Sequence, residues 1–243
     1  MATWNPWHGC RKVSPGCLNC CVYRRDAEFG KDSSFIARTS SFDLPVKRNR
    51  KGIYKLQPDE GAVYTCMTSD FFVEEADEWR PEAWKMIRER DDLHFVIITK
   101  RIHRFQVGLP KDWGEGYDNV TICCTCENQN RADYRLPIFL NLPIRHRTII
   151  HEPMLEPIEI RRYLATGLIE QVTCGGESGP EARICDYAWI LDTMQQCREY
   201  DVPFWFKQTG ANFKKGNRVY HIERKDQMSQ AEKARVNYKY RCD

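Results

Sequence analysis

The sequence predicts an α/β fold, a partial or distorted (β/α) barrel of about six to seven parallel strands, and three observations carry that prediction. Short apolar or β-branched runs recur at Ala62–Cys66, His94–Thr99, Val120–Cys124, Arg147–Ile150, Gln171–Cys174 and Pro203–Phe206, each bounded by polar or turn residues. Stretches of helical character lie between most of them, and strict alternation of this kind implies parallel strands joined by right-handed crossovers. With a short strand around Thr3 to Pro6 the count reaches about seven βα-type units, too many for a small open sheet and one short of a closed eight-fold barrel. A doubly wound sheet is the alternative that alternation alone leaves open.

The elements follow in order. Residues 18–30 suit a helix with Tyr23 and Ala27 facing inward and Gly30 as its stop. A polar insertion at about 31–61 carries Lys47, Arg48, Arg50 and Lys51 close together, either a solvated loop or a basic stripe able to hold phosphates. Helices are predicted at Pro81–Arg90, Asn130–Leu142, Ile158–Ala165 and Tyr187–Tyr200. Pro81 suits a first turn, and Trp189, Ile190, Met194 and Cys197 recur at the spacing of one buried face. The organised part is therefore expected to span 1–212. A polar extension, 213–243, would hold one strand around Val219–Ile222, which could complete the barrel, and a charged helix at Ser229–Lys239 that is peripheral or frayed.

Composition narrows the function classes. A formal net charge of +3 over 243 residues does not by itself argue for a nucleic-acid partner. No apolar stretch approaches membrane-span length, and the polar, aromatic N-terminus has no apolar run, so a cytoplasmic protein without membrane contact is expected. Twelve cysteines are many for such a protein. Cys66, Cys123, Cys124, Cys126, Cys174, Cys185 and Cys197 read as small buried residues, with Cys123-Cys124-Thr125-Cys126 as the exception able to aim two thiols into one cavity.

Thiols at Cys10, Cys17, Cys20 and Cys21 lie in a segment bent by Pro6, Gly9, Pro15 and Gly16, so the chain can bring them to one point. A cytosolic chain disfavours disulfides, which leaves metal ligation. Zinc would use His8 or Cys21 as a fourth ligand, but zinc sites usually pair two short knuckles, and the other CxxC of the chain, Cys123-Cys124-Thr125-Cys126, falls at a run read as a strand. An iron–sulfur cluster suits clustered thiolates better.

In parallel α/β folds ligands sit at the carboxyl ends of the strands. The residues there are polar in every case: Thr68-Ser69-Asp70, Lys100-Arg101, Glu127-Asn128, Glu152-Pro153, Gly175-Gly176-Glu177-Ser178-Gly179 and Lys207-Gln208. Together they read as a polar ligand pocket. Paired glycines let backbone approach a ligand, and a carboxylate such as Glu177 accepts hydrogen bonds from an ammonium or from hydroxyls. Trp4 and Trp7 flank the thiol loop, where they would shield a cluster or stack a nucleobase.

The Trp-Asn-Pro start, Gly-Cys, Lys-Val-Ser-Pro-Gly-Cys and Asn-Cys segments resemble the opening of the phage-associated three-cysteine-motif proteins, a group similar to radical S-adenosylmethionine enzymes. Matching segments continue at Thr99-Lys100-Arg101, Glu127-Asn128, Glu152-Pro153, Gly175–Gly179 and Phe206-Lys207-Gln208, so the resemblance spans roughly residues 3 to 210. The CX6CX2C spacing differs from the CX3CX2C of the main superfamily, and Cys21 stands where the family usually has an aromatic residue. The resemblance implies that Cys10, Cys17 and Cys20 hold a [4Fe-4S] cluster whose open iron binds S-adenosylmethionine, which a reductase-supplied electron cleaves to methionine and a 5′-deoxyadenosyl radical. It implies Gly175, Gly176, Glu177 and Ser178 as cofactor-binding, with Glu127, Asn128, Lys100 and Gln208, and Lys207, Asp70 and Glu152 as catalytic. The implied substrate is a small molecule or nucleotide, with a DNA base as a further option. Two other readings compete: a zinc- or cluster-stabilised nucleic-acid-binding module without catalysis, and a barrel hydrolase or lyase using the carboxylates with structural cysteines.

Overall fold

The computed structural model describes residues 2–240. Contacts within the chain define two compact units: Met1–Lys12, Arg25–Cys123 and Leu142–His146 in the first, Val13–Arg24, Cys124–Asn141 and Arg147–Asp243 in the second. The chain begins with β1 (Ala2–Trp4), β2 (Trp7–His8), α1 (Cys21–Glu28) and β3 (Ala37–Arg38), then runs through β4 (Val63–Thr65), α2 (Arg80–Glu89), β5 (Phe95–Thr99), β6 (Val120–Thr125) and α3 (Gln129–Leu140). It continues with β7 (His146–His151), α4 (Arg161–Leu164), β8 (Gln171–Gly175), β9 (Ile184–Asp186) and α5 (Tyr187–Glu199), and ends with β10 (Phe204–Gln208), β11 (Asn212–Lys215), β12 (Arg218–His221) and α6 (Gln227–Lys233).

Seven parallel strands hydrogen-bond in the order β1-β4-β5-β6-β7-β8-β10. Spatial order follows chain order throughout, so the winding never reverses. A doubly wound sheet needs a reversal at its switch point; this sheet is singly wound, as a partial barrel is, and its ends β1 and β10 are not paired to each other.

In the first unit β1 registers Ala2 with Val63, and β4 registers Val63 with Phe95. Alternate residues of β5 are buried, Phe95 and Ile97 among them, as the period-2 pattern requires. On α2 Pro81 lies in the first turn, where its missing N–H costs nothing, and Ala83, Trp84, Met86 and Ile87 form the buried face. Trp84 meets Phe71 at 4.8 Å and Trp113 at 4.9 Å between ring centroids, an aromatic core that fills this unit.

Trp4 and Trp7 belong to that interior. Both are fully buried, and each indole N–H donates to a backbone carbonyl: Trp4 to Phe42 (3.1 Å) and Trp7 to Asp70 (3.2 Å). Neither ring has a free face for a base, so of the two roles named for them, shielding and stacking, the stacking one is corrected.

In the second unit β8 pairs with β7 on one side and β10 on the other. The buried face of α5 is Ile190, Thr193, Gln196 and Cys197, with Trp189 and Met194 half-buried at its margin. Gln196 enters the core because its amide accepts from Ile160 N (2.7 Å) and donates to Ile158 O (3.0 Å). Past Gly210 the chain is more ordered than its polarity suggested. β11 pairs antiparallel with β12 and parallel with β9 in a separate three-stranded sheet, so the strand expected around Val219 does not join the seven. The tail also covers the outer edge of β10: Tyr238 and Phe204 exchange backbone bonds of 3.0 and 2.8 Å, and Asn237 Oδ1 accepts from Phe206 N. An edge strand so covered offers no template for pairing with another chain. Among the described residues no helix is long and apolar enough to cross a membrane.

Candidate functional site

Of the cysteines among the described residues, seven are buried: Cys66, Cys123, Cys124, Cys126, Cys174, Cys185 and Cys197. Burial pushes the Cys185 and Cys197 thiols up to about 12, and Cys66, Cys126 and Cys174 well above the ordinary thiol range, so these are neutral core groups. Cys124 and Cys126 do share a site, their thiols hydrogen-bonded inside the core. Cys10, Cys17 and Cys20 are half-buried and Cys21 exposed, all as free thiols. Among the described residues the accessible thiols are thus those of the opening segment.

Within the first unit Cys10 lies at the carboxyl ends of β4 and β5. Gly9, with φ near +90°, makes the turn into it, and a Cβ there would sit 2.2 Å from Phe35 O, so only glycine fits. Gly9 N donates to Thr68 O and Cys10 N to Ser33 O (2.7 Å), while Ser69 Oγ donates to Gly9 O. The buried Arg101 guanidinium faces the Cys10 thiol, with Nη1 3.5 Å from Sγ and Nη2 donating to Arg11 O at 2.7 Å. A fixed positive charge beside a thiol favours its thiolate, the form that binds metals.

Asp70 organises this corner. Its Oδ1 accepts from Thr99 Oγ1 (2.8 Å) and Phe72 N (3.0 Å), and its Oδ2 from Lys100 N (2.9 Å), with Arg101 at 3.4 Å. A carboxylate so occupied holds the loops after β4 and β5 together. Lys100 contributes its backbone N–H to that clasp, and the residue is half-buried.

Within the second unit the loop carrying Cys17 and Cys20 is tied to the ends of β6 and β8. Gly16 N donates to Glu127 Oε1 at 3.1 Å, and a Cβ on Gly16 would come within 3.0 Å of the Glu127 side chain. Glu127, fully buried at the end of β6, pairs through Oε2 with Arg135 Nη1 on α3 at 2.7 Å. Asn128 caps α3, its side chain accepting from Arg131 N at 2.9 Å. Asn19, between Cys17 and Cys20, donates to Glu177 Oε2 at 3.0 Å. The Cys20 thiol is hydrogen-bonded to that of Cys21, and this contact, with burial, pushes its pKa up.

Glu177 is 7 % exposed and receives Arg183 N (3.0 Å), Nε (2.9 Å) and Nη2 (2.6 Å) besides Asn19. Burial alone would raise its carboxyl pKa; the bonds from Arg183 and Asn19 and the Arg183 charge outweigh that and hold it below the usual carboxylate range. Ser178 offers its carbonyl to Arg24 of α1 at 3.2 Å, and Gly179 makes room for that guanidinium.

Glu152, Lys207 and Gln208 form a second polar group, at the ends of β7 and β10. Glu152 Oε2 lies 2.7 Å from Lys207 Nζ, and Oε1 accepts from Gln208 Nε2, which also donates to Gly176 O at 3.2 Å. Gly175 lies beneath this group, where a Cβ would meet Glu152 Oε1 and Gln208 Cγ at 3.1 Å. At Gly176 a Cβ would lie 2.2 Å from Thr209 O, a backbone atom. The glycine pair therefore serves strand-to-strand approach. Gly176→Ala is expected to cost about 1–3 kcal/mol in urea unfolding.

The predicted strand-end residues thus gather as Cys10, Asp70 and Lys100 in the first unit, and as Cys17, Cys20, Glu127, Glu177, Glu152, Lys207 and Gln208 in the second. Sequence reasoning named Arg101 only within the polar strand-end set, as half of the Lys-Arg doublet after β5, and gave no role of their own to Arg135, Arg183 or Asn19. Among the described residues no group of three or more His, Cys, Asp or Glu side chains is gathered in a metal-binding geometry. The thiols fit a soft metal in kind.

A search of the curated proteins and a search of the solved structures found no match. Residues 1–239 match the family described as "Protein of unknown function (DUF5131)", and the chain belongs to that family.

Proposed function

We propose that this protein is an iron–sulfur enzyme of the radical S-adenosylmethionine type, with Cys10, Cys17 and Cys20 as cluster ligands and a small molecule or nucleotide as substrate. The observation that carries the reading is the 3.0 Å bond from Asn19 to Glu177: the loop bearing two of the thiols touches the glycine-flanked carboxylate expected to hold the cofactor. That the thiols of this segment are accessible while the other cysteines among the described residues are core agrees with it. So does the Arg101 guanidinium beside Cys10.

When bound, such a cluster with S-adenosylmethionine supplies one-electron chemistry that yields a 5′-deoxyadenosyl radical. The chain's own residues hold and orient. Glu177, kept ionised by Arg183, presents a carboxylate to an ammonium. Arg101 keeps Cys10 ready to ligate, and Glu127 with Gly16 fixes the approach to Cys17. Glu152 and Lys207, an ion pair only partly screened from solvent, offer acceptor and donor to substrate polar groups.

The test is anaerobic reduction of iron-loaded protein with S-adenosylmethionine, read as methionine and 5′-deoxyadenosine released. The proposal expects both products, and weaker S-adenosylmethionine affinity at unchanged iron content in Glu177→Gln. Colourless protein holding one zinc, with no cleavage, would overturn it in favour of a zinc-stabilised binding module or a hydrolase with structural cysteines.

A further inference from the structure

A cavity of about 650 Å³ opens in the second unit, and none of the strand-end residues described above lines it. Its walls follow from element geometry. Phe213 and Tyr220 are directly opposed across the β11–β12 pair, and Lys215 follows Phe213 by two positions, so all three stand on one face of the hairpin. Asp226 and Lys233 come from the segment that enters and forms α6, seven positions apart and so on one helical face. Tyr187, the first residue of α5, closes a third side, its ring 5.7 Å from that of Phe213.

The chemistry of these walls is specific. Phe213 is 9 % exposed and acts as floor, whereas Tyr220 is 39 % exposed, its ring carrying the Arg218 guanidinium at 4.8 Å from the centroid on one face and leaving the other for a ligand. Lys215 Nζ lies 5.1 Å from the Tyr187 ring, held over an aromatic face and without a carboxylate partner among the described residues. Lys233 likewise makes no ion pair among them. Glu223 on the rim is neutralised by Lys225 at 2.8 Å, which leaves Asp226 as the acceptor. Aromatic faces, two ammonium groups and one carboxylate match a flat heterocycle with exocyclic N–H or ribose hydroxyl donors and an anionic tail. The volume falls in the range of small-ligand pockets, roughly 300–1,000 Å³.

We infer that this cavity is a mononucleotide-binding site, the base stacked on Tyr220 and the phosphate held by Lys215 and Lys233. No residue of the thiol loop lines it, and it needs no iron. Titration calorimetry of the full chain with AMP, without iron loading, tests it, with adenosine and inorganic phosphate as comparison probes. AMP is expected to bind more tightly than either, and Tyr220→Ala and Lys215→Ala are each expected to weaken it about tenfold. Lys233→Glu, an exposed change on α6, should weaken AMP binding with the melting curve unmoved. Cys10→Ser should leave it unchanged, which separates this site from the proposed cluster. Absence of AMP binding, equal affinity for phosphate alone, or affinity indifferent to Lys233→Glu and Tyr220→Ala would overturn the inference.

Discussion

Glu127→Ala is expected to destabilise the protein by about 3–5 kcal/mol in urea unfolding, because it strands a buried guanidinium. Arg135 is 1 % exposed and keeps only the Thr125 carbonyl (2.7 Å) once Glu127 is gone. The same carboxylate accepts the Gly16 N–H, so the thiol loop loses its tether as well. Replacing both partners by apolar residues, Glu127→Leu with Arg135→Met, should recover most of the stability, since the cost lies in the unpaired charge. The double variant should still load cluster poorly, because no acceptor faces Gly16. Stability and tethering would then separate in two measurements on one protein.

Stability is also expected to fall between pH 6.5 and about pH 4 through His151. This side chain is fully buried at the end of β7, with Nδ1 on the Cys126 carbonyl; an acceptor there puts the proton on Nδ1 and leaves Nε2 bare, and Nε2 has no partner. Burial pushes its pKa down to about 4, against smaller raising effects of the Cys126 carbonyl and Glu127. The unfolded chain binds this proton near pH 6.5 and the folded chain does not until about pH 4. Its contribution is therefore complete above pH 6.5 and lost as pH falls through that window, roughly 3 kcal/mol in all. Unfolding midpoints at pH 7 and 5 in the protein and in His151→Phe check it: the variant should lose this part of the pH dependence.

The strands of the seven-stranded sheet were legible because each apolar run is short and bounded by polar residues, and observed bounds differ from expected ones by only a residue or two: β5 at Phe95–Thr99 against His94–Thr99, β8 at Gln171–Gly175 against Gln171–Cys174. The winding was not legible, since alternation reads the same for a barrel and a doubly wound sheet; only strand order separates them. β9 and β11 escaped because Ile184–Asp186 and Asn212–Lys215 are short, and β9 is a strand by pairing with β11, which pairs with β12 on its other side.

The strand-end placement of the candidate carboxylates was legible, and the arginines that meet them were not. Position at a strand end follows from the pattern of runs. Which guanidinium meets which carboxylate depends on side chains from other elements, Arg135 from α3 reaching back to Glu127, and Arg183 reaching Glu177 from just before β9. The glycine pair shows the same limit. Gly175 and Gly176 read as a ligand-facing turn, yet the atoms a Cβ would strike belong to Glu152, Gln208 and Thr209.

Iron and acid-labile sulfide per chain after anaerobic reconstitution test the central claim most directly. The account predicts close to four of each in the protein, lost on replacing Cys10, Cys17 or Cys20 by serine and retained in Cys66→Ser. Iron retained in all three single variants, or sulfide absent throughout, would contradict it.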